Sequence, residues 1–243
     1  MTNDRFVSIP ESWEPAGSER LDRALEVVGS VLNSARVVDD VARYYNRDSN
    51  FAGATFLDLD PADPYAVTTG DLLAVTLLSV DIEPQAVRRL LELTPTNREV
   101  RQLLTEESLP LDADLAMADE ATLLTMERLH LATKQALSLA DAATKNRWVT
   151  ASKLCARKRP DLFPVRDSAV CALLELSGAR QNYQVDWQVF RHVIQNNEVR
   201  TRLDAVVDEA AKREGVNVGH PNRRLRHLDV ALWMHAMAGK RAQ

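Results

Sequence analysis

The sequence predicts an all-α protein, a single multi-helix globular domain. Three observations carry that prediction. Apolar residues recur every three to five positions through most of the chain, the spacing of one helix face. Only 8 glycines occur in 243 residues, while alanine and leucine, the strongest helix formers among apolar residues, are abundant. No stretch shows the sustained alternation of apolar and polar side chains that marks a half-buried strand.

The elements follow in order. Residues 1–17 hold Pro10, Pro15 and Gly17 without periodicity and read as an N-terminal arm packed on the surface, ahead of a helical domain over 18–243. From Ser18 to Tyr45 the apolar positions Leu21, Leu25, Val28, Leu32, Val37, Val41 and Tyr44 predict helix. Residues 46–67 form a long irregular connection with a short extended piece at Thr55–Leu59, and connections of that length are often functional. Thr68 and Asp71 have the spacing of a capping box before the apolar run DLLAVTLLSV. Pro84 opens a helix to Leu91, and Thr94 caps another that begins at Pro95.

A longer helix is expected from Asp119 to Leu139, then a basic one from Trp148 to Lys158 stopped by Pro160. Asp167 to Leu176 reads as a helix ended by Gly178. Asp186 is expected to cap VDWQVFRHVIQ, and Glu198–Glu214 and Asn222–Ala238 complete a series of about ten helices.

Composition narrows the functional classes. Hydrophobic residues at 45% and charged residues at 27% are ordinary for a chain with a core. No apolar run reaches the roughly 18 residues of a membrane span, and no signal-peptide pattern is present. Two cysteines, Cys155 and Cys171, are too few for a disulfide framework and lack metal-ligand spacing. None of the histidines forms an HxxxH pattern, and no P-loop, Rossmann glycine pattern or GxSxG element occurs, so neither metal nor cofactor is expected. A soluble cytoplasmic protein with no membrane partner is the expectation.

One segment breaks the overall charge pattern. The chain carries a formal charge of −5, yet KNRWVTASKLCARKRPDLFPVR, residues 145–166, carries +6, leaving about −11 on the remainder. Along its helix, Trp148, Ala151, Leu154 and Cys155 share one arc, and Thr150, Lys153 and Arg157 fall on the opposite one. Charge gathered against the global sign points to an anionic partner, with DNA or another nucleic acid expected. Lys145, Arg147, Thr150, Lys153, Arg157, Lys158, Arg159 and Arg166 are the candidate phosphate contacts. The bland alternative is a charged C-terminal turn complementing the helix dipole. Asp167, at the next helix start, is a candidate catalytic carboxylate or simply a cap.

The segments TTGDLLAVTLLSV, WVTASKLCARKRPDLFPVRDSAV and LRHLDVALWM resemble, in order and spacing, the recurring blocks of an uncharacterised bacterial family. That resemblance implies no activity. The stretch from Lys145 through the helix to Pro164, Val165 and Asp167 also resembles the helix-hairpin-helix DNA glycosylases. This resemblance implies an all-helical fold, a flipped base and Asp167 as the carboxylate that stabilises positive charge on the sugar. Asn146, Arg147 and Trp148 stand where that superfamily has hairpin glycines, which makes close backbone approach to phosphate harder; apolar Val149 stands near its lysine nucleophile, so a monofunctional enzyme is implied.

A second basic cluster, HPNRRLRH, opens the final helix. Arg223 and Arg224 there oppose the helix dipole unless an anion binds, or unless Asp208 or Glu209 pairs with them. Asp229 borders an apolar face and is expected to pair with Arg226 or with a cation of the basic helix. Trp148, Trp187 and Trp233 read as core aromatics. Three functions are therefore open: nucleic-acid binding through the basic helix, base removal by Asp167, or a scaffold whose basic strip meets an acidic partner.

Overall fold

The computed structural model describes residues 9–138, 147–176 and 182–241. Among the described residues every named element is a helix, and twelve occur. The first six are α1 (Ser18–Leu32), α2 (Val37–Tyr45), α3 (Thr55–Asp58), α4 (Thr69–Thr76), α5 (Pro84–Leu91) and α6 (Pro95–Leu103). Then follow α7 (Glu120–Leu137), α8 (Trp148–Lys158), α9 (Ser168–Leu173), α10 (Tyr183–Gln195), α11 (Asn197–Ala211) and α12 (Arg224–Arg241). They pack as two groups. In one, α8 lies between α7 and α4, with α5 and α6 on α7 and α3 on α4; in the other, α12 carries α2, α9, α10 and α11, with α1 closing over α10, α11 and α12. One apolar core runs from Trp13 to Met234 through both groups.

Local chemistry explains most boundaries. The Thr68 hydroxyl accepts from Asp71 N–H while the Asp71 carboxylate accepts from Thr68 N–H, a complete capping box for α4. Thr94 caps α6 and Asp119 caps α7 through the backbone N–H three residues on. Gly70 lies against the 60–61 peptide: a Cβ there would sit 2.7 Å from Pro61 N and 2.8 Å from Asp60 C, so only glycine fits.

Several expectations are corrected. The helical region 18–45 is two helices, because Asn33 to Arg36 leave helical hydrogen bonding. Thr55–Asp58 is a helical turn rather than an extended piece, and it buries Phe56. Asp186 does not cap α10; Asn182 does, accepting from Val185 N–H, and Asp186 sits buried in the first turn. The helix after Asp167 ends at Leu173, and the Gly178 stop lies outside the described residues. Trp13 of the arm inserts into the core and donates its indole N–H to Glu127 at 3.0 Å.

The largest correction concerns α8. The outward cationic face predicted for it does not exist, since every residue from Thr150 to Lys158 is buried. Arg157 Nε donates to Asp71 Oδ1 at 3.0 Å and Lys158 Nζ to Asp71 Oδ2 at 2.6 Å. The remaining donors go to backbone carbonyls of the irregular 56–66 segment: Arg157 to Phe56 and Leu59, Lys158 to Asp63 and Ala66. Arg159 donates to the carbonyls of Pro64, Leu104, Leu109 and Lys158. Carbonyls left buried and unpaired cost about 1–3 kcal/mol each, and these cations supply donors to them. The basic run is thus the internal fastening of this connection.

Asp71 is the only carboxylate within 4.0 Å of either Arg157 or Lys158 among the described residues. Asp71→Ala should therefore lower stability by about 3–5 kcal/mol, the loss expected when one partner of a buried ion pair is removed. Thr68→Ala, which removes the cap but leaves the charges paired, should lose about 1 kcal/mol. Equal losses in urea denaturation would show that capping alone accounts for Asp71.

Candidate functional site

Two cavities lie beside the seam where the helix groups meet. The first, of about 410 Å³, is walled by Tyr44 of α2, Phe51 of the irregular connection, Leu77, Leu78 and Ser79 after α4, and Trp233 of α12. Its charged groups are Lys153, Asp167, Arg226 and Asp229. The second, of about 470 Å³, is lined by Arg157, Lys158, Asp71, Asp58 and His227 among others, and Arg226 borders both.

Local backbone conformation aims the first cavity's groups. Arg166 has φ 51°, a left-handed conformation uncommon for a side chain of its size. It turns the chain so that Val165 and Asp167 face the cavity while Arg166 runs inward, only 1% exposed, to donate its Nε to Asp186 Oδ2 at 2.5 Å. The Arg166 guanidinium lies 4.6 Å from the Trp148 ring centre. Asp186, buried beside it, is pushed up to about 6 by desolvation, which Arg166 opposes. Ser79, at the cavity rim, is likewise left-handed at φ 59°.

Asp167 is both cap and cavity group. Its Oδ1 accepts from Ala169 N–H at 2.9 Å, Oδ2 lies 3.4 Å from Lys153 Nζ, and 22% of the side chain stays accessible. Lys153 also donates to Leu78 O at 2.7 Å. Burial lowers the Lys153 pKa, and Asp167 opposes that shift. Asp229 Oδ2 accepts from Val165 N–H at 2.8 Å, whereas its buried Oδ1 has no partner. Desolvation pushes the Asp229 carboxyl up to about 7, with the Val165 hydrogen bond and Arg226 acting against it. The expected pairing of Asp229 with a cation is replaced by this backbone contact.

The other predicted contacts scatter. Arg147 immediately precedes α8 without a capping hydrogen bond and pairs with Glu83 at 2.9 Å. Thr150 is buried. Lys145 lies outside the described residues. Arg223 pairs with Asp161, and Arg224 with both oxygens of Asp204 at 2.9 and 2.8 Å, so the acids that meet this cluster are not Asp208 or Glu209. Of the trio Lys153, Arg157 and Asp167, the first and last share a cavity, and Arg157 faces the other one. Trp187 is a core residue, but Trp233 walls the cavity.

That Tyr44, Phe51 and Arg226 share a cavity escaped sequence reasoning, because Arg226 meets the other two across more than 170 positions. The one available signal was the polar pair Arg226 and Asp229 just before the apolar run Val230–Met234. Burial pushes the thiols of Cys155 and Cys171 up to about 12, so neither is poised as a nucleophile. Among the described residues no His, Cys, Asp and Glu cluster is arranged to hold a metal, and no helix is long and apolar enough to cross a membrane.

Residues 37–236 match the family of unknown function DUF6308, and the chain belongs to that family. No curated protein and no solved structure matches it.

Asp229 makes stability depend on pH in a defined direction. Its carboxyl holds a proton more tightly in the folded chain, at about 7, than at the ordinary value of 3.8. The stabilisation from the neutral form is complete below about pH 4 and is lost as pH rises through about 7. Asp229→Asn, permanently neutral, should exceed wild type by about 2–4 kcal/mol at pH 8, with the gap closing toward pH 4. Urea denaturation of both proteins across that range checks this, and a constant gap would refute it.

Proposed function

We propose that this protein binds a small organic molecule in the first cavity. The flat apolar part rests on Phe51 and Trp233, and the polar end meets Lys153, Asp167 and Asp229. One observation carries the reading: a cavity walled by aromatic and aliphatic side chains gathers four ionisable groups, one with a buried, unpartnered oxygen. Its volume of about 410 Å³ falls inside the roughly 300–1,000 Å³ of small-molecule sites. Buried titratable groups in a cleft are the usual mark of binding or acid–base chemistry. Asp229, titrating near neutrality, can give or take a proton there.

A polyanion groove is not part of this proposal, because Arg157, Lys158 and Arg159 spend their donors inside the protein and Arg166 is buried against Asp186. One observation favours a second reading, removal of a base from a nucleoside: Asp167 stands at a helix start and opens with Lys153 onto the same cavity. There the carboxylate would stabilise positive charge on the sugar.

Thermal shift and calorimetry with a set of neutral, cationic and anionic aromatic fragments test binding. Ala52→Trp places an indole in the cavity lining and should abolish any wild-type binding while leaving the unfolding free energy measured in urea within about 1 kcal/mol of wild type. Fragments that bind both proteins equally would remove the cavity from consideration. For the second reading, base release from nucleosides should fall at least tenfold in Asp167→Asn; equal release, or none in wild type, ends it.

A further inference from the structure

We propose that Arg226 is the anion-recognising residue of the first cavity, and that the molecule bound there is a flat, apolar monocarboxylate. The proposal rests on the ligand-binding reading above and specifies its chemistry.

Arg226 is 6% exposed and projects from α12 between the two cavities. Its guanidinium lies 4.7 Å from the Phe56 ring centre and 5.3 Å from that of Tyr44. Nη2 donates to the Tyr44 hydroxyl at 2.5 Å; Nε is buried without a partner, and Nη1 makes no hydrogen bond among the described residues. No carboxylate lies within 4.0 Å of it among the described residues, whereas Arg157 holds Asp71 and Arg166 holds Asp186. A guanidinium taken out of water without an anion is costly, and a bound carboxylate offsets that cost with charge-assisted hydrogen bonds.

The surroundings set the ligand's charge. Arg226 and Lys153 contribute two positive charges to the cavity, and Asp167 balances one. Asp229 faces Arg226 on its own helix, Lys153 of α8, Asp167 at the cap of α9 and Tyr45 of α2. With Asp229 protonated the cavity holds one unmatched positive charge, which fits a monoanion and disfavours a cation. The aromatic and aliphatic walls, Phe51 and Trp233 among them, favour an apolar, aromatic remainder of the molecule.

Phenylacetate, 3-phenylpropionate and their neutral amides serve as probes in calorimetry at pH 6 and pH 8. The carboxylates should bind at least tenfold more tightly than the amides at pH 6, with the preference shrinking at pH 8 as Asp229 ionises. Arg226→Gln should erase the preference. If that variant fails to fold, Asp229→Asn supplies the second test, since it should tighten carboxylate binding severalfold at pH 8 and flatten its pH dependence. Equal affinity for acid and amide in wild type overturns the role of Arg226 and leaves the cavity's ligand-binding role intact. Failure of acids and amides alike to bind, while other fragments do, overturns the monocarboxylate assignment alone; failure of every fragment takes the ligand-binding reading with it.

Discussion

The fold depends on how three consecutive cations at the end of α8 are neutralised. Arg157 and Lys158 share the Asp71 carboxylate, and together with Arg159 they take up carbonyls from the segments around 56–66 and 104–109. Asp71 in turn caps α4 through Thr68. A single carboxylate therefore terminates one helix, balances the charge of another and anchors the connection between α2 and α4. Buried charges of this kind are not a large net source of stability, because desolvation opposes their attraction. Their effect is to specify one arrangement: any displacement of the connection strands both a cation and several carbonyls.

That arrangement also builds the cavity wall. Phe51 stacks against Tyr44 with ring centres 5.4 Å apart and meets Trp233 edge-on at 5.8 Å, so the anchored connection is held against α2 and α12. The seam between the helix groups is bridged near the same place by Lys153 and Asp167. What remains open between them contains groups whose polar atoms the protein itself does not satisfy, Asp229 Oδ1 and Arg226 Nε. A buried polar atom left without a partner carries a desolvation cost that a bound group can offset.

The all-helical class was legible in the sequence, because apolar periodicity and capping residues such as Thr68, Thr94 and Asp119 act locally. Asp186 was misjudged for the same reason: its spacing suits a cap, but Arg166, 20 positions away, draws it into the core. The basic helix misled more deeply. Helical-wheel reasoning assigns cations to solvent, and nothing within α8 announces that Asp71 and a set of main-chain carbonyls arrive from 50 to 101 positions upstream. Asp167 and Lys153 were found as individual residues, whereas their aromatic surroundings depend on the packing of α2 against α12, which has no local signature.

Carbonyl groups are the same whatever side chain they belong to. A connection secured through its main chain can therefore exchange most of its outward residues without loosening, while the arginines and lysine that grip it have no such freedom. The asymmetry assigns the burden of sequence fidelity to α8 and leaves the surface it fastens, which lines the second cavity, open to diversification.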